Sequence, residues 1–135
     1  MVLHNEQEAK EQLSALCEGG LPVAEITFRT DYAEQGIKYA AKNFPEMYIG
    51  AGTVINAEQA DRAIKAGAKF IVSPGLSESV ATVCKGNNIP YLPGCVTPTE
   101  IIKALELGIT TVKFFPANVY GGIKAIKALS APFPQ

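Results

Sequence analysis

The chain has one histidine, His4, and no tryptophan. A lone imidazole near the start of the sequence is a poor centre for a Ser-His-Asp triad, and a multi-histidine metal site cannot be assembled around it. No metal ligand set and no cofactor are therefore expected. Cys17, Cys84 and Cys95 are odd in number and lack CxxC spacing, which argues against both a disulfide framework and a structural zinc site and fits a reducing cytosol. The balance of 12 basic against 13 acidic residues leaves a net charge of -1, and no Lys/Arg cluster invites nucleic acid or an anionic membrane surface. No apolar run approaches the roughly 18 residues of a membrane span, and no basic segment leads into an apolar one at the start. A small soluble ligand is the partner these absences leave.

What is present is the composition of a globular domain: 47% hydrophobic and 19% charged residues, enough for one core spanning residues 1–135. Five short apolar or β-branched runs predict strands at Val23 to Phe28, Met47 to Ala51, Lys69 to Ser73, Pro90 to Pro93 and Thr111 to Phe115. Helices are predicted between them at Tyr32 to Asn43, Ala57 to Ala66, Glu78 to Lys85 and Pro98 to Leu107, with one more before the first strand and one after the last. Asp31, Asn56, Ser77 and Thr97 are the expected caps, Thr97 with Glu100 forming a capping box, and Gly67, Gly86 and Gly108 the expected stops. Strand and helix in regular alternation demand right-handed crossovers and a mostly parallel sheet with helices outside. No GxGxxG or GxxxxGK[ST] loop follows a strand, so the pattern favours a (β/α)8-type barrel over a nucleotide-binding sheet. A complete barrel takes at least about 200 residues, so the barrel is expected to be truncated.

Alternation along the first strand puts Glu25, Thr27 and Arg29 on one face and Ala24, Ile26 and Phe28 on the other. The apolar set belongs under the helices, which sends an acid and a base into the barrel. The residues alone leave open whether these form a structural ion pair or bind a ligand. In the last strand, Thr111, Lys113 and Phe115 share the inward face while Val112 and Phe114 share the outward one. An inward lysine on an apolar strand, near Arg29, is favoured as the neutral amine that attacks a ketone. Gly50-Ala51-Gly52-Thr53, Ser73-Pro74-Gly75 and Pro93-Gly94 end three strands with small residues. Singly these are ordinary turns, but together they occupy the C-terminal mouth where barrel active sites are built.

Five segments carry a family resemblance: Glu25-Ile26-Thr27-Phe28-Arg29-Thr30, Gly50-Ala51-Gly52-Thr53-Val54, Ser73-Pro74-Gly75-Leu76, Pro93-Gly94 with Thr97-Pro98-Thr99-Glu100, and Lys113-Phe114-Phe115-Pro116-Ala117. In this order they resemble the 2-keto-3-deoxy-6-phosphogluconate (KDPG) and 4-hydroxy-2-oxoglutarate (KHG) aldolases, which are class I lyases. The resemblance implies that Lys113 forms a Schiff base with pyruvate and that Glu25 moves protons through water. It further implies that Arg29 and Thr53 hold the pyruvate carboxylate, with Phe115, Pro74 and Pro93 lining the pocket, and that the assembly is a homotrimer. The family's first strand would be reduced to Met1 to Leu3, and its last two strands, bearing a Gly- and Ser-rich phosphate site, would fall beyond Gln135. Two other readings stay open: a non-catalytic partial barrel that associates through its edges, and another phosphate-binding barrel in which Lys113 is not a nucleophile.

Overall fold

The computed structural model describes residues 1–134. Four parallel strands, β1 (Val23–Thr27), β2 (Tyr48–Gly52), β3 (Ile71–Val72) and β4 (Tyr91–Leu92), lie side by side in sequence order. Helices α1 (Glu6–Glu18), α2 (Ala33–Asn43), α3 (Ala57–Ala66), α4 (Glu78–Gly86) and α5 (Pro98–Glu106) alternate with them, and α6 (Gly122–Ser130) follows the segment carrying Lys113. Sequential order and parallel direction together are the signature of repeated βα crossovers. The sheet is thus an arc of a barrel wall.

Both flanks of the arc continue beyond the regular strands. The N-terminal ammonium of Met1 donates to the Glu25 carbonyl and the Thr27 N–H to the Met1 carbonyl at 3.0 Å, so Met1 lies beside β1 where a remnant strand was expected, without forming a regular strand. On the other flank, Lys113 forms a parallel bridge with Gly94. The predicted strand from Thr111 to Phe115 is reduced to that single bridge, because among the described residues it has a paired neighbour on one side only.

The core lies between sheet and helices. Leu3, Leu13, Ile26, Ile37, Ile49 and Ile71 are completely or almost completely buried there. Ile26 faces α2, since a methyl built on Gly36 would sit 3.6 Å from its Cγ2. Burying side chains of this size is worth about 1.5–3 kcal/mol each.

Helix signals were read with two corrections. Asn56, Ser77 and Thr97 accept the capping N–H bonds, and the Thr97–Glu100 box is complete. Asp31, however, does not cap α2: Tyr32 is already helical at φ -80 and ψ -9, and the Thr30 carbonyl takes the Ala33 N–H instead. Gly67 and Gly108 are left-handed as expected, whereas Gly86 ends α4 inside the helix and Asn88, at φ 55, makes the left-handed turn. Asparagine can do this because its short side chain bonds locally. Asn5 caps α1, a signal the sequence reading passed over.

These contacts order the expected stability effects. Leu13→Ala should cost about 2–5 kcal/mol by opening a cavity, and Thr97→Ala about 1 kcal/mol by removing a cap. Urea unfolding of both variants measures the difference.

Candidate active site at the C-terminal ends of the strands

The site residues fall into two groups, each fixed by backbone pairing. The first is built on β1 and β2. Glu25 pairs in register with Gly50, and Thr27 with Gly52. The half-buried Glu25 side chain leans along the strand direction over Gly52, where a methyl on that glycine would lie 1.8 Å from its Oε1. Its carboxylate makes no hydrogen bond or ion pair with another described residue. Thr27 is buried and donates its hydroxyl to the Met1 carbonyl at 3.1 Å. Arg29 stands exposed at the rim, 3.5 Å from the Thr27 hydroxyl, with no carboxylate partner among the described residues. The structural Glu25–Arg29 ion pair that the sequence left open is therefore absent.

Thr53 follows β2 with φ 56, a left-handed conformation that costs a β-branched residue of order 1–3 kcal/mol. Its neighbours impose it. Gly52 accepts the Phe28 N–H at 2.8 Å, Val54 donates to the Val72 carbonyl at 3.2 Å, and the buried Ser73 hydroxyl donates to the Val54 carbonyl. Ser73, which the sequence offered only as part of a turn, thus stitches the ends of β2 and β3 together.

The second group surrounds Lys113. Its N–H donates to the Pro93 carbonyl at 2.8 Å and its carbonyl accepts from Cys95 at 2.9 Å. Pro93 is buried and Pro74 exposed, and the loop bearing Pro74 packs against Gly94, where a methyl would meet the Pro74 carbonyl oxygen at 2.0 Å. The half-buried Lys113 ammonium lies 4.5 Å from the centre of the Phe115 ring, so both side chains project to one side as alternation predicts. Val112 and Phe114 project to the other, where they line a 310 Å³ apolar cavity with Ile101, Leu105, Ile126 and Leu129.

A larger cavity of 570 Å³ lies between α4, β4 and residues 107 to 111, and contains none of these side chains. Its lining is mostly apolar, and burial pushes the Cys84 thiol there up to about 11. Cys95 is likewise pushed up to about 11 by burial and by Glu100. Neither is a nucleophile near neutral pH, because only the thiolate attacks. Among the described residues no three His, Cys, Asp or Glu side chains gather as metal ligands, and no helix is long and apolar enough to cross a membrane.

An amine and a carboxylate, neither committed to a partner among the described residues, thus stand on strand segments of one parallel wall, with a guanidinium at its rim that has no carboxylate partner among those residues. The family model for KDPG and KHG aldolase matches residues 1–135. The chain belongs to that family. It is 44% identical over its full length to the 2-dehydro-3-deoxy-phosphogluconate aldolase of Haemophilus influenzae and spans 64% of that protein. The KDPG aldolase of Legionella pneumophila, solved with pyruvate captured at low pH as a covalent carbinolamine intermediate, superposes with a TM-score of 0.96 at 37% identity, matching 100% of this chain and 66% of its own. The Zymomonas mobilis enzyme, solved with 3-phosphoglycerate, has a TM-score of 0.93 at 38% identity, over 100% of this chain and 64% of its own. The four-stranded arc is accordingly part of the family's barrel.

Raised thiol pKa values favour the folded state while the unfolded thiols are also protonated, and that contribution is lost as pH rises from about 8.5 through about 11. Burial and Glu46 raise the Cys17 thiol too, so exposure sets the order: at pH 8 iodoacetamide should modify the half-buried Cys17 first and reach the buried Cys84 and Cys95 only on unfolding, as peptide mass mapping with and without urea would show.

Proposed function

We propose that this chain carries the carbon–carbon lyase machinery of a class I pyruvate aldolase, with Lys113 as the Schiff-base lysine and Glu25 as the proton carrier. The observation that carries this reading is the Lys113 side chain itself: half-buried, held in the wall by two backbone hydrogen bonds, with its ammonium facing an aromatic ring and no anion. The family match supplies the reaction class.

The steps follow from the groups available. The neutral Lys113 Nζ adds its lone pair to the keto carbon, giving a carbinolamine that loses water to an iminium. With a 4-hydroxy-2-keto acid bound, Glu25 takes the 4-hydroxyl proton through a water, the aldehyde carbonyl forms, and the C3–C4 bonding pair passes into the iminium as an enamine. Reprotonation of C3 and hydrolysis release pyruvate and regenerate the amine. The captured carbinolamine of the Legionella relative supports the first step.

Arg29 and Thr53 bind the substrate carboxylate in this reading. A guanidinium offers a bidentate fork to a carboxylate, and the left-handed turn at Thr53 brings its hydroxyl and neighbouring backbone to the same mouth. Pro74, Pro93 and Phe115 form the wall behind the keto carbon. The substrates are 2-dehydro-3-deoxy-6-phosphogluconate and 4-hydroxy-2-oxoglutarate, cleaved to pyruvate with glyceraldehyde 3-phosphate or glyoxylate. The chain spans about 64% of the relatives it matches, so these are proposals for the whole enzyme. We place it in the cytoplasm, in keeping with three free thiols. A homotrimer is the assembly we expect, and exposed Val119, Tyr120, Ile123 and Ile126 offer apolar surface for association.

Borohydride added with pyruvate should leave a stable adduct that peptide mass spectrometry maps to Lys113. Lys113→Ala should abolish it, and an adduct surviving that change would remove the lysine from its role. Glu25→Gln should retain the adduct while slowing cleavage on the order of 10²-fold or more, which a coupled assay of pyruvate release would measure.

A further inference from the structure

We infer that Gly52 is a positioning residue of the lyase site: the empty volume above its Cα is the seat that holds the Glu25 carboxylate toward the mouth of the barrel. This rests on the reading of Glu25 as the proton carrier and adds the reason for its placement.

The case begins with a glycine that the backbone does not require. Gly52 is the last residue of β2 and lies outside the left-handed region. A glycine in an extended strand costs about 0.5–1 kcal/mol relative to alanine. Something other than backbone conformation must use the missing side chain. An added methyl would meet three atoms of one residue, Glu25: Oε1 at 1.8 Å, Cδ at 2.5 Å and Cγ at 2.7 Å.

The register gives this contact a direction. Glu25 pairs with Gly50, so at its own level the carboxylate could extend sideways over that residue. That space is occupied by the Phe70 ring, which would lie 2.3 Å from a methyl on Gly50 and stacks on Tyr48 with centroids 5.3 Å apart. The ring closes the lower position and Gly52 opens the upper one. A two-residue step along a strand is about 6.6 Å, enough to decide whether a carboxylate reaches the end of the wall where Thr53 and Arg29 stand.

The two glycines also differ in what yields. At Gly94 a methyl would strike backbone, the Pro74 carbonyl at 2.0 Å, and the fold itself would have to move. At Gly52 it strikes only side-chain atoms of Glu25, from Cγ outward, which a rotation about the Cα–Cβ bond moves together, so the protein can fold with Glu25 turned away. Gly52→Ala therefore displaces the proton carrier without removing it.

The test uses the full chain with pyruvate in D2O. Enamine formation exchanges the pyruvate methyl protons and needs the proton carrier, whereas borohydride trapping on Lys113 reports imine formation. Gly52→Ala should trap pyruvate within about threefold of the parent while methyl exchange falls on the order of 10²-fold, the loss expected when a reacting group is misplaced by an ångström or so. Gly50→Ala, which adds the same bulk to the same strand face against Phe70, should not show that split. In combination with Glu25→Asp, Gly52→Ala should add little further loss, since the two changes act on one contact. Equal exchange in Gly52→Ala and the parent, the same split in Gly50→Ala, or fully multiplying losses would each overturn the inference. Should Gly52→Ala fail to fold, Glu25→Ala in that background must restore the melting transition; persistent unfolding would overturn it as well. A parent chain that neither traps nor exchanges pyruvate would instead refute the lyase reading on which the inference rests.

Discussion

Two backbone hydrogen bonds, from Lys113 to Pro93 and from Cys95 to Lys113, attach the Lys113 segment to the rest of the wall. The group on β1 and β2 is fixed separately, by the register of Glu25 with Gly50 and of Thr27 with Gly52. Gly94, between Pro93 and Cys95, has no side chain because the Pro74 carbonyl fills that space, so the loops after β3 and β4 pack directly against each other beside Lys113. Ser73 extends the chain of constraints to Val54, and the Val54 N–H bond to Val72 holds the turn at Thr53. Strain at Thr53 is thus sustained by ordinary ladder bonds on both sides of it, which is how a left-handed β-branched residue persists at a functional position.

The same economy governs the interior of the barrel arc. Larger residues on β2 at Gly50 and Gly52 would clash with whatever projects inward from β1 and β3, and the two inward projections have opposite characters. Phe70 packs low against Tyr48, giving an aromatic base, while Glu25 rises past it. A half-buried carboxylate with no partner among the described residues is a costly arrangement unless water or ligand completes its hydrogen bonding. Stability and function therefore pull in different directions at Glu25, as is usual where a charged group must remain available to react.

Much of this was legible in the residues. Alternation in Val23 to Phe28 put Ile26 under α2 and Glu25 inside, since a period of two allows no other placement once one face is apolar. Alternation also assigned Lys113 and Phe115 to one side and Val112 and Phe114 to the other, although pairing there shrank to a single bridge. The caps at Asn56, Ser77 and Thr97 were legible because their side chains bond within three residues. Asp31 misled because the entry to α2 is capped by the Thr30 carbonyl, and a backbone acceptor leaves no mark in the sequence. Gly86 misled because Asn88 serves the left-handed turn equally well. The roles of Gly52 and Ser73 depend on which side chain from another strand reaches them, and no local pattern carries that information. The fold of this family was further accessible through five ordered segments, each of which includes a strand or its C-terminal end, the fourth running on into the start of α5.

The contrast between the two cavities and the proposed site bears on how such a site is found. The 570 Å³ space beside β4 is the roomier feature, yet its ionisable side chains are Lys85 and two groups that burial keeps protonated, the Cys84 thiol and the Tyr91 phenol. The 310 Å³ space under α6 is lined chiefly by aliphatic and aromatic side chains. Volume measures where packing is incomplete, and these volumes lie along the flank where Lys113 has only one paired neighbour. Chemistry instead requires an unpaired nucleophile, a proton carrier and an anion holder on rigid neighbouring strands. In the proposed reading those three roles fall to Lys113, Glu25 and Arg29, carried by the Lys113 segment on one flank of the arc and by β1 and its end on the other. Uncommitted polar groups, rather than the depth of any hollow, are what favour the strand ends of this barrel arc as the proposed site.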